Sequence, residues 1–175
     1  MVKLTLFVKM EVENATEVKP KQNFQFVMNI LCTSCRQEHG TDVYMSPDEE
    51  CELSGSRGSA NFVFRCQDCK KEHSASFVPP TSSSKDLIVP YTSQTAEWQP
   101  LICLDCRGLE PTSFLVNNGQ GGSWQCVSFS EEEGAKTKRE QFVFEIDEDG
   151  RWDDYDEANS REIGVREIES KWQRT

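Results

Sequence analysis

The chain has 175 residues, 36% of them hydrophobic and ten of them Phe, enough to bury a core without depending on metal alone. Its net charge of −11 argues against a nucleic acid or an anionic membrane surface as partner, since both are met through clustered Lys and Arg. No apolar run approaches the ~20 residues of a spanning helix, and the N-terminus alternates rather than forming a signal peptide. The expectation is therefore a protein of the cytoplasm or nucleus, where eight cysteines serve metal rather than disulfides.

In chain order, Leu4, Leu6, Val8, Met10 and Val12 alternate with mostly polar residues, the signature of a strand. Asn14 and Pro20 break the pattern, and Phe24–Leu31 forms a second strand that runs into Cys32-Thr-Ser-Cys35. A charged turn from Arg36 to Gly40 leads to a strand at Asp42–Met45, ended by Pro47, and Cys51-Glu-Leu53 opens another. The Gly55–Ala60 stretch is a Gly/Ser turn; a phosphate loop would need a Lys-Ser/Thr ending and a following helix. Phe62-Val-Phe64 then enters a second turn, Cys66-Gln-Asp-Cys69, and His73–Val78 forms the next strand.

The Pro79–Ser84 tract marks a boundary, after which the chain starts again. Leu87-Ile-Val89 reads as a short strand, and Leu101–Arg107 repeats the strand-then-knuckle form of Ile30–Arg36, placing Cys103 and Cys106 opposite Cys32 and Cys35. Strands at Thr112–Val116 and Trp124–Phe129 are joined by a hairpin turn at Asn117–Gly122. Glu131–Arg139 is a solvated mixed-charge loop. Gln141–Asp149 aligns with Asn61–Cys69, so the turn at Asp147–Gly150 is expected where Cys66–Cys69 stands. Asp156–Arg161 suits a single helical turn, and Ile163–Ile168 alternates again. The fold class is all-β: one zinc-binding domain over 1–175 made of two repeated halves, 1–80 and 85–175, with the knuckles in the first.

Two Cys-x-x-Cys turns, each following an apolar run, direct four thiolates at one ion, the tetrahedral cage zinc prefers. Cys32, Cys35, Cys66 and Cys69 are the metal ligands, with one Zn²⁺ per chain. The four thiolates carry a formal −2 around the ion, partly neutralised by the flanking Arg36, Arg65, Lys70 and Lys71. His39 and His73 each follow the second cysteine of their pair by four residues, which makes a mixed cage conceivable. With four cysteines in place, both are read as supporting or solvated residues. Cys103 and Cys106 have no partner pair; with Cys51 and Cys126 they are read as reduced core thiols. The acidic stretch Asp147–Glu157 fails the EF-hand spacing, and Trp152 and Tyr155 are expected to pack on the sheet.

The two cysteine pairs, Gly55–Ala60, Cys106-Arg-Gly-Leu-Glu-Pro111, Trp152-Asp-Asp-Tyr-Asp-Glu157 and Ile163-Gly-Val165, in this order, resemble the eukaryotic CXXC-motif-containing zinc-binding protein family over nearly the whole chain. The resemblance implies one zinc held by Cys32, Cys35, Cys66 and Cys69, an all-β fold with repeated halves, and no established enzymatic activity. Cys103 departs from the family pattern, in which only the Cys106 position is a cysteine. The Ser-rich linker and the Glu131–Arg139 loop look like expansions of this chain.

The function expected is a non-enzymatic zinc-stabilised adaptor, monomeric, whose partner is another protein. The alternative is a thiol- or metal-handling enzyme on a zinc-stapled β fold, like the zinc-containing methionine sulfoxide reductases. That chemistry needs a nucleophilic cysteine outside the zinc set, nominally Cys51, Cys103, Cys106 or Cys126, and none lies in a recognisable signature.

Overall fold

A computed structural model describes residues 1–116 and 121–175; most of the expected hairpin turn at Asn117–Gly122 therefore lies outside the described residues. Among the described residues there is no helix. The first half contributes β1 (Val2–Glu13), β2 (Ala15–Pro20), β3 (Phe26–Met28), β4 (Ile30–Cys32), β5 (Val43–Met45), β6 (Cys51–Glu52), β7 (Ser59–Ala60), β8 (Phe62–Arg65) and β9 (Glu72–Val78). The second contributes β10 (Gln99–Arg107), β11 (Leu109–Pro111), β12 (Trp124–Ser128), β13 (Gln141–Phe144), β14 (Trp152–Asp156) and β15 (Arg161–Arg174). The fold is all-β, as the alternation of β1 and the short turn-bounded runs require.

A six-stranded antiparallel sheet, in the order β14-β15-β1-β10-β9-β8, forms the backbone of the molecule. Leu4, Leu6, Val8 and Met10 on one face of β1 are buried against the core, which also holds Leu101, Leu104 and Ile163. An aromatic group fills its centre: Phe26 lies 5.0 Å from Phe24, 5.5 Å from Phe77 and 5.9 Å from Phe114, and Phe24 lies 5.4 Å from Trp124. Such edge and tilted pairs add to the area each ring buries. The Gly55–Ala60 stretch spans the tip of the β6–β7 hairpin and β7 itself, with Gly55 at φ 70°.

The order of the large sheet is a palindrome of connectivity. The hairpin β14–β15 beside β1 matches the hairpin β8–β9 beside β10. Outside this sheet the halves exchange strands: β2 pairs with β12, and β11 pairs with β4. The register agrees residue by residue. Val12 and Glu13 face Val165 and Gly164 where Cys106 and Arg107 face Ala75 and Ser74. Phe129 donates its backbone N–H to the Asn14 carbonyl at 2.9 Å, just as Thr33 donates to the Gly108 carbonyl at 2.9 Å.

This fixes a repeat register that differs from the expected one. Cys103 and Cys106 are not a knuckle: both lie inside β10, paired with Thr5 and Val2 of β1. Flanked by β1 and β9, the run continues as a central strand as far as Arg107. The counterpart of Cys32 is instead Ser128, at the end of β12. Asp156 pairs with Arg161, five residues on, as the Cys66 N–H meets the Lys71 carbonyl at 3.0 Å. Asp156 and Asn159 thus stand where Cys66 and Cys69 stand, and Ser160 (φ 53°) matches Lys70 (φ 62°). The expected helical turn at Asp156–Arg161 is this β-turn. Asp147–Gly150 does turn, closed by the Asp147 N–H on the Arg151 carbonyl at 3.0 Å, but it joins β13 to β14. Leu87–Val89 makes only an isolated bridge between Ile88 and Ile102, and Thr112–Val116 is not a strand.

Candidate metal centre

The end of β4 and the end of β8 each pass into a tight turn that lifts two thiols out of the sheet. The Arg36 N–H donates to the Cys32 carbonyl at 2.8 Å and the Cys32 N–H to the Gln37 carbonyl at 2.9 Å. The Cys66 turn repeats this, with Lys70 donating to the Cys66 carbonyl at 3.0 Å. Arg36 (φ 63°) and Lys70 (φ 62°) take the left-handed conformation that folds each turn back. Two similar turns, held side by side, bring the four expected cysteines together: all four sulfurs lie within 4.8 Å of one another.

Cys32 Sγ is 3.7 Å from Cys69 Sγ, and Cys35 Sγ is 3.6 Å from Cys66 Sγ. Sulfurs bound to one zinc at about 2.3 Å would stand about 3.8 Å apart at the corners of a tetrahedron. The donor set and its spacing fit one zinc, held by Cys32, Cys35, Cys66 and Cys69. Cys32 and Cys66 are buried, whereas Cys35 and Cys69 are half-buried at the turn tips. Backbone N–H groups of Cys69 and Asp68, working against lost hydration, draw the Cys66 thiol down to about 7. The Gln37 N–H lowers Cys35, but lost hydration and the three neighbouring thiols outweigh it and push that group up to about 12. Four thiols this close do not all ionise unaided; a dication that binds the thiolates resolves the conflict.

The two histidines part company. His39 lies edge-on to Phe64, centroids 4.7 Å apart, with Nε2 3.0 Å from Thr41 Oγ1. His73 is buried, and its Nε2 is 3.0 Å from Cys32 Sγ. Burial and the nearby Lys71 charge hold its imidazole below its ordinary value, favouring the neutral ring. Of the two roles read for His73, supporting or solvated, the structure favours the first: it faces inward from β9, beside Phe64 of β8. Its spacing behind the Cys66 pair was the one available sign.

The other cysteines stay apart from the cluster. Cys103, Cys106 and Cys126 are buried, and burial raises Cys106 and Cys126 to about 12. Cys51 is half-buried, its Sγ 3.9 Å from the Asn61 carbonyl. In the acidic stretch, Trp152 stacks on Phe144 at 4.0 Å as expected, but Tyr155 is exposed.

Missing from the sequence reading was the answering arrangement in the second half. Asp156 is fully buried and accepts from Ser128 Oγ at 2.7 Å and from Asn159 Nδ2 at 2.7 Å. Asn159 in turn accepts from the Lys138 N–H at 2.8 Å and donates to the Lys138 carbonyl at 2.9 Å. Hydrogen bonds therefore tie together the two connections that the thiol cluster unites in the first half. Residues 33–36 form the first turn, whereas residues 129–139 form the corresponding loop, which leaves Cys35 without a fixed counterpart.

Comparison with known proteins agrees with this geometry. Residues 5–173 match the family model described as CXXC motif containing zinc binding protein, eukaryotic. A UPF0587 protein of Nematostella vectensis is 32% identical over 174 residues, covering 98% of each chain. The CXXC motif containing zinc binding protein of Homo sapiens is 27% identical over 170 residues, covering 96% of each. A crystal structure of C1orf123 superposes with a TM-score of 0.77 at 26% identity, covering 99% of both chains. A hypothetical protein from Plasmodium falciparum shares the fold, at a TM-score of 0.76 and 20% identity over 99% of this chain and all of that one. The four clustered thiols and the match over nearly the whole length lead to one conclusion: the chain belongs to the eukaryotic CXXC-motif-containing zinc-binding protein family.

Proposed function

We propose that this chain is a non-catalytic, zinc-stabilised adaptor that binds another protein through the face carrying its thiol cluster. The observation that supports this is a set of exposed basic side chains at the turn tips, set among Glu38, Asp68 and Glu72. Arg36, Arg65, Lys70 and Lys71 surround the turn tips and are exposed, on a chain whose net charge is −11. None of the four enters an ion pair among the described residues. A basic collar on an acidic protein suits an acidic protein surface, steered and oriented by charge. Four thiolates also fill a tetrahedral ion, which is the composition of a structural rather than a catalytic site.

The enzymatic alternative requires a reactive thiol outside the cluster. The depth of Cys103, Cys106 and Cys126 speaks against it, as does the pKa near 12 that burial imposes on two of them. A cleft of about 730 Å³ is lined by Lys19, Lys21, Phe24, Asp48 and Lys85 among others, and by no cysteine. Further parts of this reading are a monomer in the cytoplasm or nucleus that engages neither nucleic acid nor membrane.

The test is photo-crosslinking from position 70 in cells, compared with position 143 on exposed β13. A discrete adduct from position 70 with zinc-loaded protein, lost when Arg36→Glu, Arg65→Glu and Lys71→Glu are added, is the expected result. An adduct of equal yield from the folded triple variant would reject the basic face as the binding surface. Methionine sulfoxide reduction by the zinc-loaded protein would reject the non-catalytic reading.

A further inference from the structure

We propose that His73 is the outer hydrogen-bond donor of the zinc site, giving its Nε2–H to the Cys32 thiolate while Gly108 fixes the ring in place. The imidazole nitrogen stands 3.0 Å from Cys32 Sγ, and the residue is only 5% exposed. A metal-bound thiolate has no proton to give, so it accepts and the ring nitrogen donates. The donor matters because four thiolates leave a formal −2 on the cluster, and Cys32 is one of the two buried members. Backbone N–H groups already serve Cys35, Cys66 and Cys69. His73 supplies Cys32 from a different strand.

Gly108 is the second half of the device. It sits at φ 80° between β10 and β11, and its carbonyl accepts the Thr33 N–H at 2.9 Å. A Cβ there would lie 2.0 Å from His73 Nδ1 and 2.8 Å from Cγ, overlapping the ring itself. The backbone therefore presses on one side of the imidazole and leaves Nε2 aimed at sulfur. The molecule contains its own control. In the second half, where Ser128 replaces Cys32, the position of His73 is Ile163 and that of Gly108 is Asn14. The histidine and the missing side chain occur only where the thiols are.

The assignment is tested on the full-length, zinc-loaded protein, with chelator competition for zinc affinity and Co²⁺ substitution for the sulfur-to-metal charge-transfer band. His73→Leu should weaken zinc roughly 10- to 100-fold, as loss of a second-layer partner does. It should also move the Co²⁺ band to lower energy, and His73→Gln, which keeps an N–H donor, should recover part of both effects. Gly108→Ala should reproduce the shift by displacing the ring. If affinity in His73→Leu stays within about twofold and the band does not move, the imidazole is packing only and the proposal falls. A ¹¹³Cd signal of the wild type typical of three sulfurs and one nitrogen would make His73 a ligand and overturn it too. Should the Leu variant not fold, the ¹⁵N spectrum of the wild-type ring decides: Nε2–H supports the donor, Nδ1–H excludes it.

Discussion

Asp156 and Cys66 occupy equivalent positions and solve the same problem with different chemistry. Each ends a strand whose turn must be tied to a neighbouring connection. Cys66 does so through a shared metal and Asp156 through hydrogen bonds to Ser128 and Asn159. Burial would raise the Asp156 carboxyl, but those bonds and the Arg161 charge outweigh it and hold it below its ordinary value. A depressed carboxyl stabilises the fold above its unfolded pKa of about 3.9, and that contribution is lost as pH falls through the folded value. Asp156→Asn should therefore cost about 1.5–3 kcal/mol at pH 7 in urea unfolding, with the difference from wild type shrinking below pH ~4. A deficit unchanged at low pH would mean that the charge is not what stabilises. At the cluster, Cys35→Ser and Cys69→Ser should lower the melting temperature far more than Cys103→Ala, whose core cost is about 1 kcal/mol. Elemental analysis should find one zinc per wild-type chain and none in the two Ser variants.

At the level of elements, the difference between the halves lies in the connections rather than the strands. The Cys32–Gln37 turn closes within a few residues, whereas the Ser128 N–H is not answered until the Glu140 carbonyl, at 2.9 Å. A loop over residues 129–139 has more conformations to lose, and its clamp is the paired hydrogen bonds between Asn159 and Lys138, helped by Arg139 on Glu17 at 2.7 Å. Asn159→Ala should release it. Trypsin should then cut after Lys136, Lys138 or Arg139 faster than in wild type, with faster amide exchange confined to 129–139. Global unfolding on the same substitution would show the clamp to be part of the core instead. The notch between β10 and β11 works in the opposite sense: Gly108 shortens the approach to His73, where the equivalent Asn14 donates its amide to the Glu162 carbonyl at 2.7 Å.

For the whole molecule, strand exchange decides how stability is shared. β1 lies between β15 and β10, and the pairs β2–β12 and β4–β11 cross from one half to the other. Neither half can bury Leu6, Met10 and Leu104 by itself, because the sheet that carries them is assembled from both. Fragments 1–80 and 85–175 should each lack dispersed amide spectra and regain them on mixing with zinc. An independently folded 1–80 fragment would refute this shared core. Chelation of the full chain should first expose the β4 and β8 turns to exchange, since the hydrogen-bonded turns of the second half hold without metal.

Much of the site was readable in the chain because metal ligation is local: Cys-x-x-Cys after an apolar run already places two thiols on one turn, and two such turns define a cage. The alternation of Leu4 to Val12 likewise determined a strand and its buried face. The repeat register was not readable. Leu101–Arg107 and Ile30–Arg36 share composition, yet one continues as a central strand and the other turns at Cys32. A short apolar run ending in Cys-x-x-Cys is compatible with both, and only the partners on either side choose between them. Pairing across the halves made β10 a strand, and the same pairing set Ser128 and Asp156 in the places of cysteines. The contact between His73 and Cys32, forty-one positions apart, likewise exists only once β9 is laid beside β8 and Gly108 closes over the ring.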